Sequence, residues 1–227
     1  MRLAQRKIVV TGGPTREWLD PVRFISNPSS GRMGAALAKA AVRHGRETVF
    51  IHGPVHPDVL SGLRCRMVAV ESTVDMLEAV MAEIEPNAVL IMAAAPADYA
   101  PIHKSREKIK KREERLIIEL KKNPDILKEV AARVREGRFP GLVAVGFAAE
   151  TTDIEAYALA KLEEKNLDMI CLNDVSRAGA GFGSETNIIT IFFKGGKRED
   201  LPILPKGEAA ERIFDEIETW IKEEVHS

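Results

Sequence analysis

Five residues in one short stretch carry the first chemical signal. Arg23, Asn27, Ser29, Ser30 and Gly31 all fall in "PVRFISNPSSGRMG" (21–34). That stretch follows the apolar run "KIVVTGG" (7–13) and precedes the Ala-rich pattern "AALAKAAVRHG". A strand, a polar loop and a helix start suit a phosphate, because a helix N-terminus presents unpaired N–H groups and the positive end of its dipole. Arg23 offers a planar fork for phosphate or carboxylate. Asn27 can donate and accept at once. Ser29, Ser30 and Gly31 stand where the N–H groups emerge. Taken alone, the two serines are explained equally well as an N-cap and a tight turn.

Other patterns compete. A dinucleotide fingerprint, G-x-G-x-x-G, is missing after the first apolar run: "GGPTRE" has the wrong spacing. No acidic residue closes the second strand to hold a ribose, because that run ends "FIHG". A nicotinamide or flavin role is therefore disfavoured. Tyr157 and Lys161 spell Y-x-x-x-K, a spacing that sets a phenol beside an ammonium in short-chain NAD(P)-dependent oxidoreductases. This is the alternative enzyme reading. Lys161 and Lys165 also share one helix face, where two ammoniums repel unless an anion or acidic neighbours such as Glu155 and Glu164 lie there. The charge run "REKIKKREER" (106–115) makes poor nucleic-acid glue, since Glu107, Glu113 and Glu114 interrupt it and no aromatics interleave. As a lid over a polyanionic small molecule it would let Lys108, Lys110 and Lys111 converge.

The elements that must position these groups alternate along the chain. Strands are expected at 7–12, 47–53, 65–70, 88–95, 116–120, 142–150, 168–174 and 187–196. Helices are expected at about 33–44, 72–86, 123–137, 153–166 and 207–225. The alternation predicts an α/β fold, doubly wound and Rossmann-like, with a mostly parallel sheet. The run 88–95 is apolar throughout, as a central parallel strand covered on both faces requires. Residues 99–115 form an extended basic flap, about twice the usual loop length. A Gly- and Ser-rich loop follows at 175–186. With no internal repeat and no linker, residues 1–227 read as a single domain.

Composition excludes several classes. The 227 residues are 45% hydrophobic and 30% charged, with a formal net charge of -1. No global field selects nucleic acid or an anionic membrane. Cys65 and Cys171 are far apart and form no metal or disulfide motif, and no apolar run reaches membrane-span length. A cytoplasmic protein is expected, with neither a nucleic-acid nor a membrane partner.

In order along the chain stand "TGGPTREWLDPVRFISNPSSGRMG", "AAAPADY", "EKIKK", "KNPDIL", "VGFAAET", "KNLDMICLNDVS" and "GFGSETN". Together they resemble the phosphopantothenate–cysteine ligases (phosphopantothenoylcysteine synthetases), with Pro96 standing where a small aliphatic residue is usual. The resemblance implies ligation of 4'-phosphopantothenate to L-cysteine through an acyl-nucleotide. CTP is expected rather than ATP as co-substrate, with Mg²⁺ whose protein ligands are unknown. By the same resemblance Asn27 supports the second half-reaction at the carbonyl, and Arg23 and Ser29–Gly31 meet phosphate or pantothenoyl groups. Ala94, Ala95 and Asp98 line the nucleotide approach, Lys108 reaches the triphosphate, and Lys121, Lys122, Asn123 and Pro124 line the pocket. Phe147 packs near the base, and Lys161 and Lys165 bind phosphates. A homodimer is implied, and so is a flavin-dependent decarboxylase as a fused domain or separate partner.

Overall fold

The computed structural model describes residues 6–110, 115–150, 154–174 and 185–224. The first part of the chain runs β1 (Ile8–Gly12), β2 (Arg16–Trp18), β3 (Phe24–Ser26), α1 (Arg32–Arg43), β4 (Thr48–His52), α2 (Pro57–Leu60), β5 (Arg66–Ala69) and α3 (Thr73–Glu83). Then come β6 (Val89–Met92), β7 (Tyr99–Pro101), β8 (Leu120–Lys122), α4 (Ile126–Arg135), β9 (Val143–Glu150), α5 (Ile154–Glu164) and β10 (Met169–Asp174). The chain closes with β11 (Thr186–Asn187), β12 (Ile189–Phe193), β13 (Arg198–Asp200), β14 (Leu204–Pro205) and α6 (Lys206–Glu224).

Eight strands form one sheet in the order β13-β12-β10-β9-β6-β1-β4-β5. The six from β10 to β5 pair in parallel, while β12 and β13 add antiparallel at one edge. The sheet is thus mixed and mostly parallel. Its inner strands are buried on both faces because helices cover both. On one face α1 and α6 pack their apolar stripes, including Leu37, Ile213, Phe214 and Ile217, over Ile8, Val10, Ile91 and Val145. On the other, Met76 and Val80 of α3, Ile126 and Val130 of α4 and Leu162 of α5 cover Val9, Leu90 and Ile170. Each large side chain buried this way contributes about 1.5–3 kcal/mol.

Local signals fix where the helices begin. Ser72 and Asp75 form a reciprocal capping box at α3. Asp125 caps α4 through the Lys128 N–H. Gly34 lets α1 lie directly on β1: a Cβ there would stand 2.7 Å from the Thr11 carbonyl oxygen and 2.8 Å from the Gly12 Cα.

Two expectations need correction. Residues 116–119 belong to no strand, and Leu116, Ile117 and Ile118 are exposed; β8 begins at Leu120. Their alternation had no sheet face to cover it. The central strand β6 ends at Met92 rather than Ala95, because Ala94 N–H turns to the Thr11 hydroxyl (3.1 Å) and Ala95 N–H to the Gly13 carbonyl (2.9 Å). The expected loop 175–186 lies outside the described residues except at its end, as does part of the flap, 111–114. Among the described residues no helix is long and apolar enough to cross a membrane.

Candidate active site

The chain leaves β1 towards β4 on one side, while β6 is followed in the sheet by β9 on the other. The carboxyl ends of β1 and β6 therefore open a crevice, the place where sheets of this kind bind ligands. Three segments enter it: the end of β1, the loop from Asn27 to Gly31, and the turn from Ala93 to Asp98. A cavity of about 410 Å³ results, lined among others by Asn27, Ser29–Gly31, Ala93–Ala95, Asp98, Phe147, Lys161 and Asn173. A second, of about 440 Å³, shares Ala94, Asp98, Phe147 and Lys161 with it and adds Lys122, Asn123, Pro124, Lys128 and Lys165.

Gly31 caps α1 with φ 75°, a left-handed conformation that favours glycine, and a Cβ there would meet the Val55 side chain at 2.6 Å. Having no side chain, it leaves the first turn of α1 without a capping acceptor from that position. The Asn27 amide donates to the carbonyl oxygens of Ala95 (3.3 Å) and Pro96 (2.9 Å). The loop and the turn are thus locked to each other across 68 residues of sequence.

Behind them lies a buried polar network. The Thr15 hydroxyl accepts from Ala97 N–H (2.8 Å) and bonds the Thr73 hydroxyl (2.9 Å). Glu17, only 7% exposed, accepts from Thr73 N–H (2.9 Å) and from the Asn123 amide (3.1 Å). Asn123 also donates to the Ala97 carbonyl at 2.8 Å. Satisfied networks of this kind hold backbone in one arrangement, because breaking one bond strands a buried polar group at about 1–3 kcal/mol.

Residues 3–221 match the family model described as the DNA/pantothenate metabolism flavoprotein C-terminal domain. The chain belongs to that family. It is 46% identical over 221 residues to the coenzyme A biosynthesis bifunctional protein CoaBC of Bacillus subtilis, covering 97% of this chain and 53% of that protein. The chain therefore spans about half the length of the curated relatives it matches. Among solved structures, the C-terminal domain of a CoaBC protein is 38% identical, with TM-score 0.76 over 97% of this chain and 98% of that one. A Cab2 mutant in complex with phosphopantothenate-cysteine shares the fold at 15% identity, with TM-score 0.71 over 97% of this chain and 89% of that one.

Against this family frame the expected site residues divide. The crevice gathers Asn27, Ser29, Ser30, Gly31, Ala94, Ala95, Asp98, Asn123, Pro124, Phe147, Lys161, Lys165 and Lys122. Lys165, just after α5, pairs with Asp125 (3.0 Å), while Glu164, expected as a neighbour of the two lysines, pairs with Lys128 (2.5 Å). Glu155, expected as a neighbour of those lysines, instead meets Arg198 at 2.9 Å. Tyr157 is 54% exposed and lines neither cavity, although Lys161 lines both.

Arg23, Lys108 and Lys121 do not line these cavities. Arg23 is committed elsewhere. Its guanidinium donates to Asp20 (2.9 and 2.6 Å) and to the Ile109 carbonyl (2.8 Å). Asp20, fully buried, also accepts from Ile109 N–H at 3.1 Å. Ser105 N–H reaches the Leu19 carbonyl at 2.9 Å. The flap is therefore pinned to the β2–β3 hairpin beside Lys108. Burial disfavours the Asp20 charge, but hydrogen bonds from Arg23 and from the Val22 and Ile109 N–H groups outweigh it and hold its carboxyl well below the usual range. A fork that looked aimed at a ligand already had a carboxylate three residues upstream.

Asn173, Asn187 and Lys206, not among the expected site residues, also line the first cavity. Asn173 lay within the quoted motif "KNLDMICLNDVS". Lys206 had only one signal, a cation at a helix N-terminus. Among the described residues no group of three or more His, Cys, Asp or Glu could hold a metal ion.

Proposed function

We propose that the chain is a phosphopantothenate–cysteine ligase acting in coenzyme A biosynthesis, folded as one doubly wound, Rossmann-like domain. Its substrates are 4'-phosphopantothenate, L-cysteine and a nucleoside triphosphate, with CTP favoured over ATP. The observation that carries this is the crevice itself: a helix N-terminus, the Asn27 amide and the Ala94–Ala95 backbone converge beside Lys161 in a chain of this family.

A carboxylate is a poor acceptor for an amine, since oxide would have to leave. Attack of the pantothenate carboxylate oxygen on the α-phosphorus forms an acyl-nucleotide and breaks the bond to pyrophosphate. The cysteine nitrogen then attacks the acyl carbon, the nucleoside monophosphate leaves, and the amine loses its proton. Charge moves through phosphate and carbonyl oxygens, so placed donors matter more than a protein nucleophile. The α1 N-terminus and Lys161 would hold phosphate oxygens, Asn27 would face the acyl carbonyl, and Phe147 would pack on the base. Mg²⁺, when bound, neutralises triphosphate charge. It would be held chiefly by phosphate oxygens, with Asp98 the nearby carboxylate common to both cavities.

A homodimer fits the exposed apolar side chains Phe24, Tyr99, Ile102, Leu116, Ile117 and Leu120, on and beside the two hairpins. The other half of the relatives' length suggests a flavin-dependent decarboxylase, as a domain or a partner, supplying the next step. The test is to incubate the chain with 4'-phosphopantothenate, cysteine, Mg²⁺ and each nucleoside triphosphate in turn. Pyrophosphate and the cysteine amide should appear together, fastest with CTP. Pyrophosphate-free turnover, or none, would overturn the proposal.

A further inference from the structure

Lys206 is an unusual residue for its position. It is the first residue of α6, where a cation opposes the helix dipole. It is only 9% exposed. Its ammonium donates to the Asn187 amide oxygen at 2.6 Å and to the Thr186 carbonyl at 3.2 Å, both neutral acceptors. Among the described residues no carboxylate forms an ion pair with it. Glu185, close enough to act on it, is joined to Arg32 instead. Burial lowers the lysine's pKa, and the nearby Arg32 adds to that, against the opposing pull of Glu185. A buried cation without a counter-charge is costly, and an apolar side chain of similar length would avoid the cost.

Its place in the fold suggests what offsets the cost. Lys206 lines the 410 Å³ crevice cavity and also an outer cavity of about 630 Å³. Ser29, Ser30 and Arg32 line both as well, so Lys206 stands in the wall between them, beside the start of α1. Lys39 and Arg43 also line the outer cavity, with Asp58 and Glu185; Arg43 is paired with Glu211, which leaves Lys39 as a cation of that lining with no carboxylate ion pair among the described residues. Two cations, two hydroxyls and a helix N-terminus together match a group with several oxygens and more than one negative charge.

We propose that Lys206, with Arg32 and Ser29–Ser30, forms a phosphate-binding subsite at the junction of these two cavities. It rests on the ligase reading, in which two substrates carry phosphate: the nucleoside triphosphate and 4'-phosphopantothenate. The chemistry of the subsite is the same for either. A bound phosphoryl group supplies the direct ion pair that no carboxylate among the described residues gives Lys206, and adds an anionic partner for Arg32 besides Glu185.

The test uses the whole chain with CTP and 4'-phosphopantothenate as probes. In Lys206→Met, KM for one of the two should rise about tenfold or more, while KM for cysteine stays within about twofold. Which KM moves names the phosphate. Calorimetric titration with each probe alone should show the same selective loss. Lys206 also ties Thr186 and Asn187, so the melting temperature is measured in parallel. A purely structural lysine would lower that temperature and leave both phosphorylated-substrate KM values alone. If the methionine variant does not fold, Arg32→Gln carries the test, because Arg32 is on the surface. It should raise the same kind of KM severalfold. Unchanged KM values for both phosphorylated substrates in the folded variant overturn the subsite. An inactive wild-type chain would instead overturn the ligase reading.

Discussion

The crevice between β1 and β6 and the paired hairpins beside it, β2–β3 and β7–β8, are built by different means. The crevice uses small residues and backbone, held by the Thr15–Thr73–Ala97 and Glu17–Asn123 bonds buried behind it. The hairpins are three-residue strands with exposed apolar side chains, and one buried charged knot, Asp20–Arg23, fastens the flap to them. The first region is held by internal hydrogen bonds. The second carries its cations on a segment whose position depends on a few tethers. Changes in the crevice should therefore alter chemistry, and changes in the hairpin region should alter how Lys108 is delivered.

The sharpest break of that contrast is Asn27→Asp. A carboxylate would face the Ala95 and Pro96 carbonyls that now accept from the amide, and it would add negative charge beside a phosphate ester. Loss of a placed donor costs about a hundred- to a thousandfold in rate. Formation of the cysteine amide should fall by that much while pyrophosphate release persists, with the acyl-nucleotide accumulating in mass spectra. Equal loss of both steps would make Asn27 a folding residue.

Lys108→Gln probes the other region. Lys108 is exposed, so the melting temperature should barely move. If the flap closes over the triphosphate, turnover should fall about a hundredfold, the value of one phosphate contact in a water-poor site. Wild-type turnover would make the charge run a solvated arm.

A smaller effect is expected from Asp20→Asn, which keeps the shape but weakens the bonds to Arg23 and Ile109. Turnover should drop about tenfold, as for one charge-assisted hydrogen bond, and proteolysis near 102–110 should accelerate. The Asp20 carboxyl is held below its unfolded value of about 4, so its contribution is complete above that pH and is lost only as pH falls well below it. Flap protection in the wild type should therefore be constant from neutral pH down to about 4. Loss of protection near pH 6 would show that another group holds the flap.

Tyr157→Phe should do least. Tyr157 is exposed and lines neither cavity, and surface changes of this kind alter activity or stability by about twofold at most. A collapse in steady-state turnover without unfolding would return the oxidoreductase reading to contention.

What could be read from the sequence follows the same division. The long strands and helices were legible because apolar runs, caps such as Ser72 and the glycine after α1 act over a few residues. The helix start beside Ser29–Gly31 was legible for the same reason. The hairpins were not, since a three-residue strand such as Arg16–Trp18 has no period to detect. Nor were the partners: Glu17 meets Asn123 across 106 residues, and nothing local announces it. Arg23 has a type that suits an anion, and only the fold shows that Asp20 accepts from its fork. Lys206 was silent because a lone lysine at a helix start reads as a surface residue until its burial is seen.

If the crevice joins a carboxylate to the α-phosphate before the amine attacks, a carboxylate oxygen must leave with the nucleoside monophosphate. The most direct test is a single turnover with 4'-phosphopantothenate labelled with ¹⁸O in the carboxylate, together with CTP, Mg²⁺ and cysteine. Label should appear in the released CMP and not in pyrophosphate. Label in orthophosphate, or unlabelled CMP alongside the cysteine amide, would contradict this route.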